Sequence, residues 1–249
     1  MGIGTALLQT VLGGLITRKL YQSDQKQSNS PTPVNEENQL DPINVNAPDE
    51  GVRLQTTADV SNKIPVVYGE AFTGGKMVDV EMGADNRTMY YCMVFSEKTG
   101  TAIDGTPSTF TFKDVYINGM RAVFKNNGVT IDYTTDRNSF QDASMRDLMD
   151  IYCYAGSSTN HVPVENVTLS PSGLAAYNIM PSWTSTENMS DLIFLIAKLK
   201  YAPGKNQTEL PNITVHLQNS LTQPGDVLYD YMTNTRYGAG IALSEIYVA

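Results

Sequence analysis

The chain has 249 residues and 41% hydrophobic content, enough to bury a core in one large domain or two small ones. Only 17% of residues are charged and the formal net charge is −9, so the surface repels phosphate and stable nucleic-acid binding is excluded. Two cysteines and two histidines, with no C-x-x-C or H-x-x-x-H spacing, exclude a structural zinc centre; no cofactor is expected.

Residues 1–21 read as a separate apolar helix. Leu7, Leu8, Val11, Leu12, Leu15 and Ile16 recur at helical spacing, interleaved with Gly2, Gly4, Gly13 and Gly14. Arg18 and Lys19 follow the apolar run instead of preceding it, the wrong polarity for a secretory signal. About 15 apolar-rich residues fall short of the ~20 that span a bilayer. Packing against a partner chain through those six apolar residues is the expectation, and membrane contact, if any, runs through 1–21 alone. Residues 22–52 are a polar linker with Pro31, Pro33, Pro42 and Pro48, too poor in apolar side chains to offset the entropy of ordering.

From residue 53 to 249 the pattern is β-rich, with 105–188 as a candidate inserted subdomain. Lys76 to Met82 alternates, with Val78, Val80 and Met82 on one face and Asp79 and Glu81 on the other. Thr88 to Ser96 is apolar on both faces, the mark of a central strand; it holds Cys92, and Cys153 lies in a similar run, so both are expected as buried free thiols. Thr109 to Asn118 ends in Asn118-Gly119, a hairpin signal, with Arg121 to Phe124 pairing back. Asn127-Gly128 marks another turn. Residues 134–147 read as loop or short helix, and Leu148 to Tyr154 as a strand. Asp191–Tyr201 and Ile213–Gln218 read as two strands of one long-looped hairpin. Pro224-Gly225 then stops the chain, Asp226 caps a short helix, and Val227, Leu228 and Tyr231 share its buried face. Gly238 and Gly240 end it, Gly238 at positive φ.

Two groups of residues carry a resemblance. One is the string from Asp226 to Ile241, "D-V-L-Y-D-Y-x-T-N-x-R-Y-G-x-G-I", with Arg236, Tyr237, Gly238 and Gly240. The other is Pro65-Val66-Val67-Tyr68-Gly69, then Gly74-Gly75, then an acidic-polar turn and an apolar strand ending Ser96-Glu97, followed by Tyr116-Ile117-Asn118-Gly119. In this order and spacing they resemble the tail tip (baseplate hub) proteins of tailed bacteriophages, the tip attachment type. The resemblance implies β-barrel or sandwich hub domains with a few short helices, and a homotrimer that closes the tail tube. It further implies anchoring of other tail, baseplate or fibre proteins in the virion, with assembly in the host cytoplasm. Pro65, Tyr68, Gly69, Gly74, Gly75, Arg236, Tyr237, Gly238 and Gly240 are then architectural. Family members continue past the R-Y-G-x-G segment into further domains and this sequence ends at Ala249, so no receptor-binding role of such domains is carried over.

Catalytic signals are sparse. Phosphate-cradling and nucleophile-elbow motifs are absent from the sequence, and Gly238-Ala239-Gly240 follows a helix, not a strand. His161 and His216 read as structural or surface histidines. Asp79 and Glu81 read first as the solvated face of an edge strand; they are also the one carboxylate pair worth testing as a glycan hydrolase, though they project from a single strand face while glycosidases flank the scissile bond from two sides. A carbohydrate-binding β-sandwich adhesin is the third reading. No enzymatic activity is expected.

Overall fold

The computed structural model describes residues 63–165, 167, 174–187, 189–205 and 210–246; the 1–21 segment with Leu7, Leu8, Val11, Leu12, Leu15 and Ile16, and the linker 22–52, lie outside them. The described chain is mainly β, in two antiparallel sheets. The strands are β1 (Glu70–Gly74), β2 (Lys76–Met82), β3 (Thr88–Glu97), β4 (Phe110–Ile117), β5 (Met120–Phe124), β6 (Ile131–Thr135), β7 (Gln141–Asp142), β8 (Met149–Ala155), β9 (Leu192–Lys200) and β10 (Ile213–Asn219), followed by helix α1 (Pro224–Thr233). One sheet runs β1-β10-β4-β5-β6-β7 and the other β2-β3-β9-β8. Residues 105–188 supply β4 to β8, which are shared between both sheets.

Strand chemistry explains the layers. Met93 and Phe95 of β3, Phe112 and Val115 of β4, Ile193 and Leu195 of β9, and Val215 and Leu217 of β10 meet in one buried cluster between the sheets. The alternate side chains of the four-stranded sheet, Cys92, Val94, Tyr152, Tyr154, Phe194 and Ile196, form a second cluster on its outer face. That cluster is covered by Ala176, Met180 and Trp183. β3 is therefore covered on both faces, as its double apolar pattern requires. Cys92 and Cys153 are free and buried, and burial pushes both thiols well above their ordinary range.

The hairpin at Asn118-Gly119 is a two-residue loop with φ of 50 and 80, the pair of positive values that a primed turn needs to match the twist of β4 and β5. Gly128, at φ 74, turns β5 into β6. The polar stretch 134–147 carries the end of β6 and the short β7 in place of a helix.

Two expectations are overturned. β9 and β10 are not a hairpin: β9 pairs β3 and β8, while β10 pairs β1 and β4 in the other sheet. β9 is buried on both sides, a demand met only in the middle of the four-stranded sheet, whereas β10 buries Ile213, Val215 and Leu217 on one side. On β2 the apolar residues, not the carboxylates, face solvent, with Val78 43%, Val80 41% and Met82 52% exposed. β2 is an edge strand with a bulge between Met77 and Asp79, which shifts the pleat. Asp79 and Glu81 turn to the 182–183 loop: Trp183 Nε1 donates to Asp79 Oδ2 at 2.7 Å, and Ser182 donates to Glu81 from its backbone N at 2.8 Å and its hydroxyl at 2.7 Å.

Candidate functional site

The two motif groups, far apart in sequence, meet at the edge of the sandwich. Helix α1 brings one of them there. It begins with Pro224 at its first turn, and Gln223 precedes it without a side-chain cap. Asp226 is not the cap: its Oδ1 accepts the Ile103 backbone N–H at 3.0 Å, which ties the helix start to the 100–108 loop. The apolar face expected of this helix is not buried. Leu228 is 58% and Tyr231 51% exposed, and the helix's one buried side chain is Asp230, at 2%.

Asp230 is the centre of the joint. Tyr68 and Tyr237 each donate their hydroxyl to its Oδ2 at 2.6 Å, and the Gly100 N–H donates to Oδ1 at 2.7 Å. Three charge-assisted bonds satisfy a carboxylate that burial would otherwise make costly. Burial first, then the hydrogen bond and charge of Asp230, push both tyrosine hydroxyls far above the ordinary phenol range, so both stay protonated donors. Gly100 has no room for a side chain, since a Cβ there would sit 2.5 Å from Asp230 Oδ1.

A second polar contact lies beside it. Glu97, 8% exposed, places Oε2 2.8 Å from Arg236 Nε, an ion pair without hydrogen-bond alignment. Burial raises the Glu97 carboxyl pKa and the Arg236 guanidinium partly offsets it. Glu97 N–H donates to the Pro65 carbonyl at 2.9 Å, and Val67 N–H to Ser96 Oγ at 3.0 Å. Asn219, fully buried, donates from Nδ2 to Val67 O at 2.7 Å and to Thr99 Oγ1 at 2.9 Å, and accepts the Leu221 N–H at 3.0 Å. Gly69, at φ 65, exchanges backbone bonds with this corner: Asn219 N–H to Gly69 O at 2.6 Å and Gly69 N–H to Leu221 O at 3.0 Å.

The glycines of the helix exit divide their work differently from expectation. Gly238 is not at positive φ; Gly240 is, at 64. Gly238 is required by closeness, since a Cβ there would overlap the Tyr231 carbonyl oxygen and lie 2.8 Å from Asn234 O. The turn satisfies the helix's last carbonyls through Ala239 N–H to Tyr231 O at 2.8 Å and Ile241 N–H to Met232 O at 2.7 Å. Asn234 Oδ1 accepts the Arg236 and Tyr237 N–H groups at 2.8 and 3.3 Å. Gly74 and Gly75 lie elsewhere, where the chain passes from one sheet to the other; a Cβ on Gly75 would sit 2.7 Å from the Phe95 ring.

Pro65, Tyr68, Gly69, Arg236, Tyr237, Gly238 and Gly240 thus belong to one joint, with Asp230, Glu97, Gly100 and Asn219 as members that sequence reading passes over. Asp230 and Glu97 stand inside the quoted motifs, and their signal is a carboxylate set among tyrosines and apolar residues. No family model and no curated protein matches the chain.

The joint holds hydrogen bonds and an ion pair but no activated nucleophile. Among the described residues, no group of three or more His, Cys, Asp or Glu could hold a metal ion. No helix among them is long and apolar enough to cross a membrane. His161 is buried in a loop against β8, its Nδ1 accepting the Cys153 N–H at 2.9 Å, and burial lowers its pKa. His216 lies 2.7 Å from Glu70 Oε1 on the outer face of the six-stranded sheet.

Proposed function

We propose that this chain is a structural virion protein of a phage tail tip or baseplate hub, working as a homotrimer. In this reading it closes the tail tube and anchors neighbouring tail or fibre proteins for host attachment and DNA delivery. The observation that supports the reading is the Asp230 joint: Tyr68, Gly69, Arg236, Tyr237, Gly238 and Gly240, among the residues on which the family resemblance rests, meet where α1 is locked to the sandwich. That lock holds the helix by its polar side. Leu228 and Tyr231 are left facing outward, with Ile103, 43% exposed, beside the first turn. Apolar side chains so displayed suit contact with a neighbouring subunit. The acidic balance, −9 overall, is compatible with the wall of a DNA conduit, because it would not retain DNA.

The test is made on particles and on the purified chain. Antibody labelling in electron microscopy should place the chain at the distal end of the tail, and mass measurement of tips should give three copies. Leu228→Glu combined with Tyr231→Glu should leave the melting temperature intact while the purified chain no longer forms the trimer. A single copy per particle, or absence from tails, overturns the reading. So does release of sugars from cell walls that is abolished by Asp79→Asn and Glu81→Gln, which would make the chain a hydrolase.

A further inference from the structure

The outer face of the six-stranded sheet carries an open groove of about 780 Å³ whose lining includes Phe72 on β1, Tyr116 on β4, Arg121 on β5, Tyr133 on β6, and Arg137 and Asn138 in the turn before β7. That volume lies within the roughly 300–1,000 Å³ of ordinary small-molecule sites. The core faces the other way, through Phe112, Val115 and Ile117. Packing therefore does not call for aromatic rings on this side.

The rings are nevertheless held in place. Phe72 stacks on His216 with centroids 4.2 Å apart and planes 10° from parallel, and its centroid is 5.6 Å from that of Tyr116, tilted by 60°. His216 is itself fixed, with Nε2 2.7 Å from Glu70 Oε1 and Nδ1 4.0 Å from Asp114 Oδ2. Phe72 remains 45% exposed, so a positioned apolar ring is presented to solvent. Two guanidinium groups, Arg121 and Arg137, line the same groove against a single carboxylate of the lining, Asp136. Arg121 meets Asp114 at 3.4 Å and stays about half exposed, which leaves further donors of its fork available.

We propose that this groove binds a short acidic oligosaccharide. A pyranose has an apolar C–H face that stacks on an aromatic ring and a rim of hydroxyls that amide and phenol groups can hydrogen-bond. A carboxylate on the sugar matches the planar fork of Arg121 or Arg137. The inference goes beyond the tail-tip assignment and does not depend on it: binding is read on the purified full chain, placement on the particle.

The experiment applies the 249-residue chain to an array of neutral and carboxylated oligosaccharides, followed by calorimetric titration of the best ligand. Carboxylated glycans should bind and their neutral counterparts should bind more weakly. Phe72→Ala and Arg137→Ala should each weaken binding about tenfold or more, with melting curves confirming the fold, while Phe72→Tyr should retain it. If Phe72→Ala fails to fold, Arg137→Ala and Phe72→Tyr still decide the matter. Absence of glycan binding by the wild type overturns the proposal. Binding insensitive to the groove variants does so too, as does equal affinity for neutral sugars with Arg137→Ala harmless. A change of oligomeric mass in Phe72→Ala without glycan binding assigns the groove to a protein contact and also overturns it.

Discussion

Gly238 and Gly240 are two residues apart and are glycines for different reasons, which stability measurements can separate. At Gly238 the obstacle is backbone: the Tyr231 carbonyl oxygen occupies the place of a Cβ, and that carbonyl also accepts the Ala239 N–H. Gly238→Ala is expected to cost about 3 kcal/mol, the upper range for forced overpacking. At Gly240 the nearest atoms are 3.7 Å from an added Cβ and the cost is the left-handed φ of 64 alone, so Gly240→Ala should cost about 1–2 kcal/mol. Urea titration of both variants checks the order; a Gly240→Ala loss equal to or above that of Gly238→Ala would refute it.

His161 gives the chain a defined acid sensitivity. Its Nδ1 faces the Cys153 backbone, 2.9 Å from the N–H, which the neutral ring accepts, and 3.1 Å from the carbonyl oxygen, while Nε2 is buried with no hydrogen-bond partner among the described residues. Burial lowers the folded pKa below the ordinary 6.5. Between the folded pKa and 6.5 the unfolded chain binds more protons than the folded one, so stability rises with pH through that window. This contribution is complete above 6.5 and is lost as pH falls through the lowered folded pKa. His161→Gln should therefore flatten the histidine part of the stability profile on the acid side of 6.5, measured as urea midpoint against pH. A profile as steep as that of the wild type would show that His161 does not titrate there.

At the scale of elements, α1 is anchored by one carboxylate where most surface helices are anchored by an apolar stripe. Tyr68→Phe and Tyr237→Phe each remove one hydrogen bond to a charged, buried acceptor, at about 1.5–3 kcal/mol apiece. Both hydroxyls share Oδ2, so the losses should not add, and a double-mutant cycle by urea denaturation should show coupling of about 0.5–3 kcal/mol. Strict additivity would mean that the two tyrosines do not act through Asp230. The same helix marks where sequence reading stops. Its position and its glycine exit are legible, because turn residues and periodicity are local. Its buried face is not, because the donors to Asp230 come from Gly100 and Tyr68, 130 and 162 residues away. β3 and the Asn118-Gly119 hairpin are legible for the first reason. The partners of β9 and β10 are not, for the second: two apolar strands in succession do not say which sheet each completes. The joint itself is half legible. Tyr68, Gly69, Arg236 and Tyr237 stand out as motif residues, while a carboxylate in the middle of a short helix reads by pattern as a solvated one.

For the whole molecule, the described residues divide the chain's tasks. Among the described residues both buried clusters are built from Ile64 onward, and the Asp230 joint closes within 65–240. Folding and attachment should therefore come apart when residues 1–21 are removed. In the helix expected from the sequence of that segment, each interior glycine would cost about 1 kcal/mol against alanine, so its apolar stripe would gain most from close packing on another chain, where small residues let backbones approach. From its polar sequence, 22–52 is expected to give reach, since about thirty-one residues of flexible coil would span roughly 30 Å. Deletion of 1–21 is expected to shift the melting temperature by less than about 2 °C, at most about 1 kcal/mol for a body of this size. On the tail-tip proposal, the same deletion is expected to leave a soluble chain that fails to enter the tail. Counting copies in purified particles decides it: incorporation of the truncated chain at the wild-type number would refute docking through Leu7, Leu8, Val11, Leu12, Leu15 and Ile16.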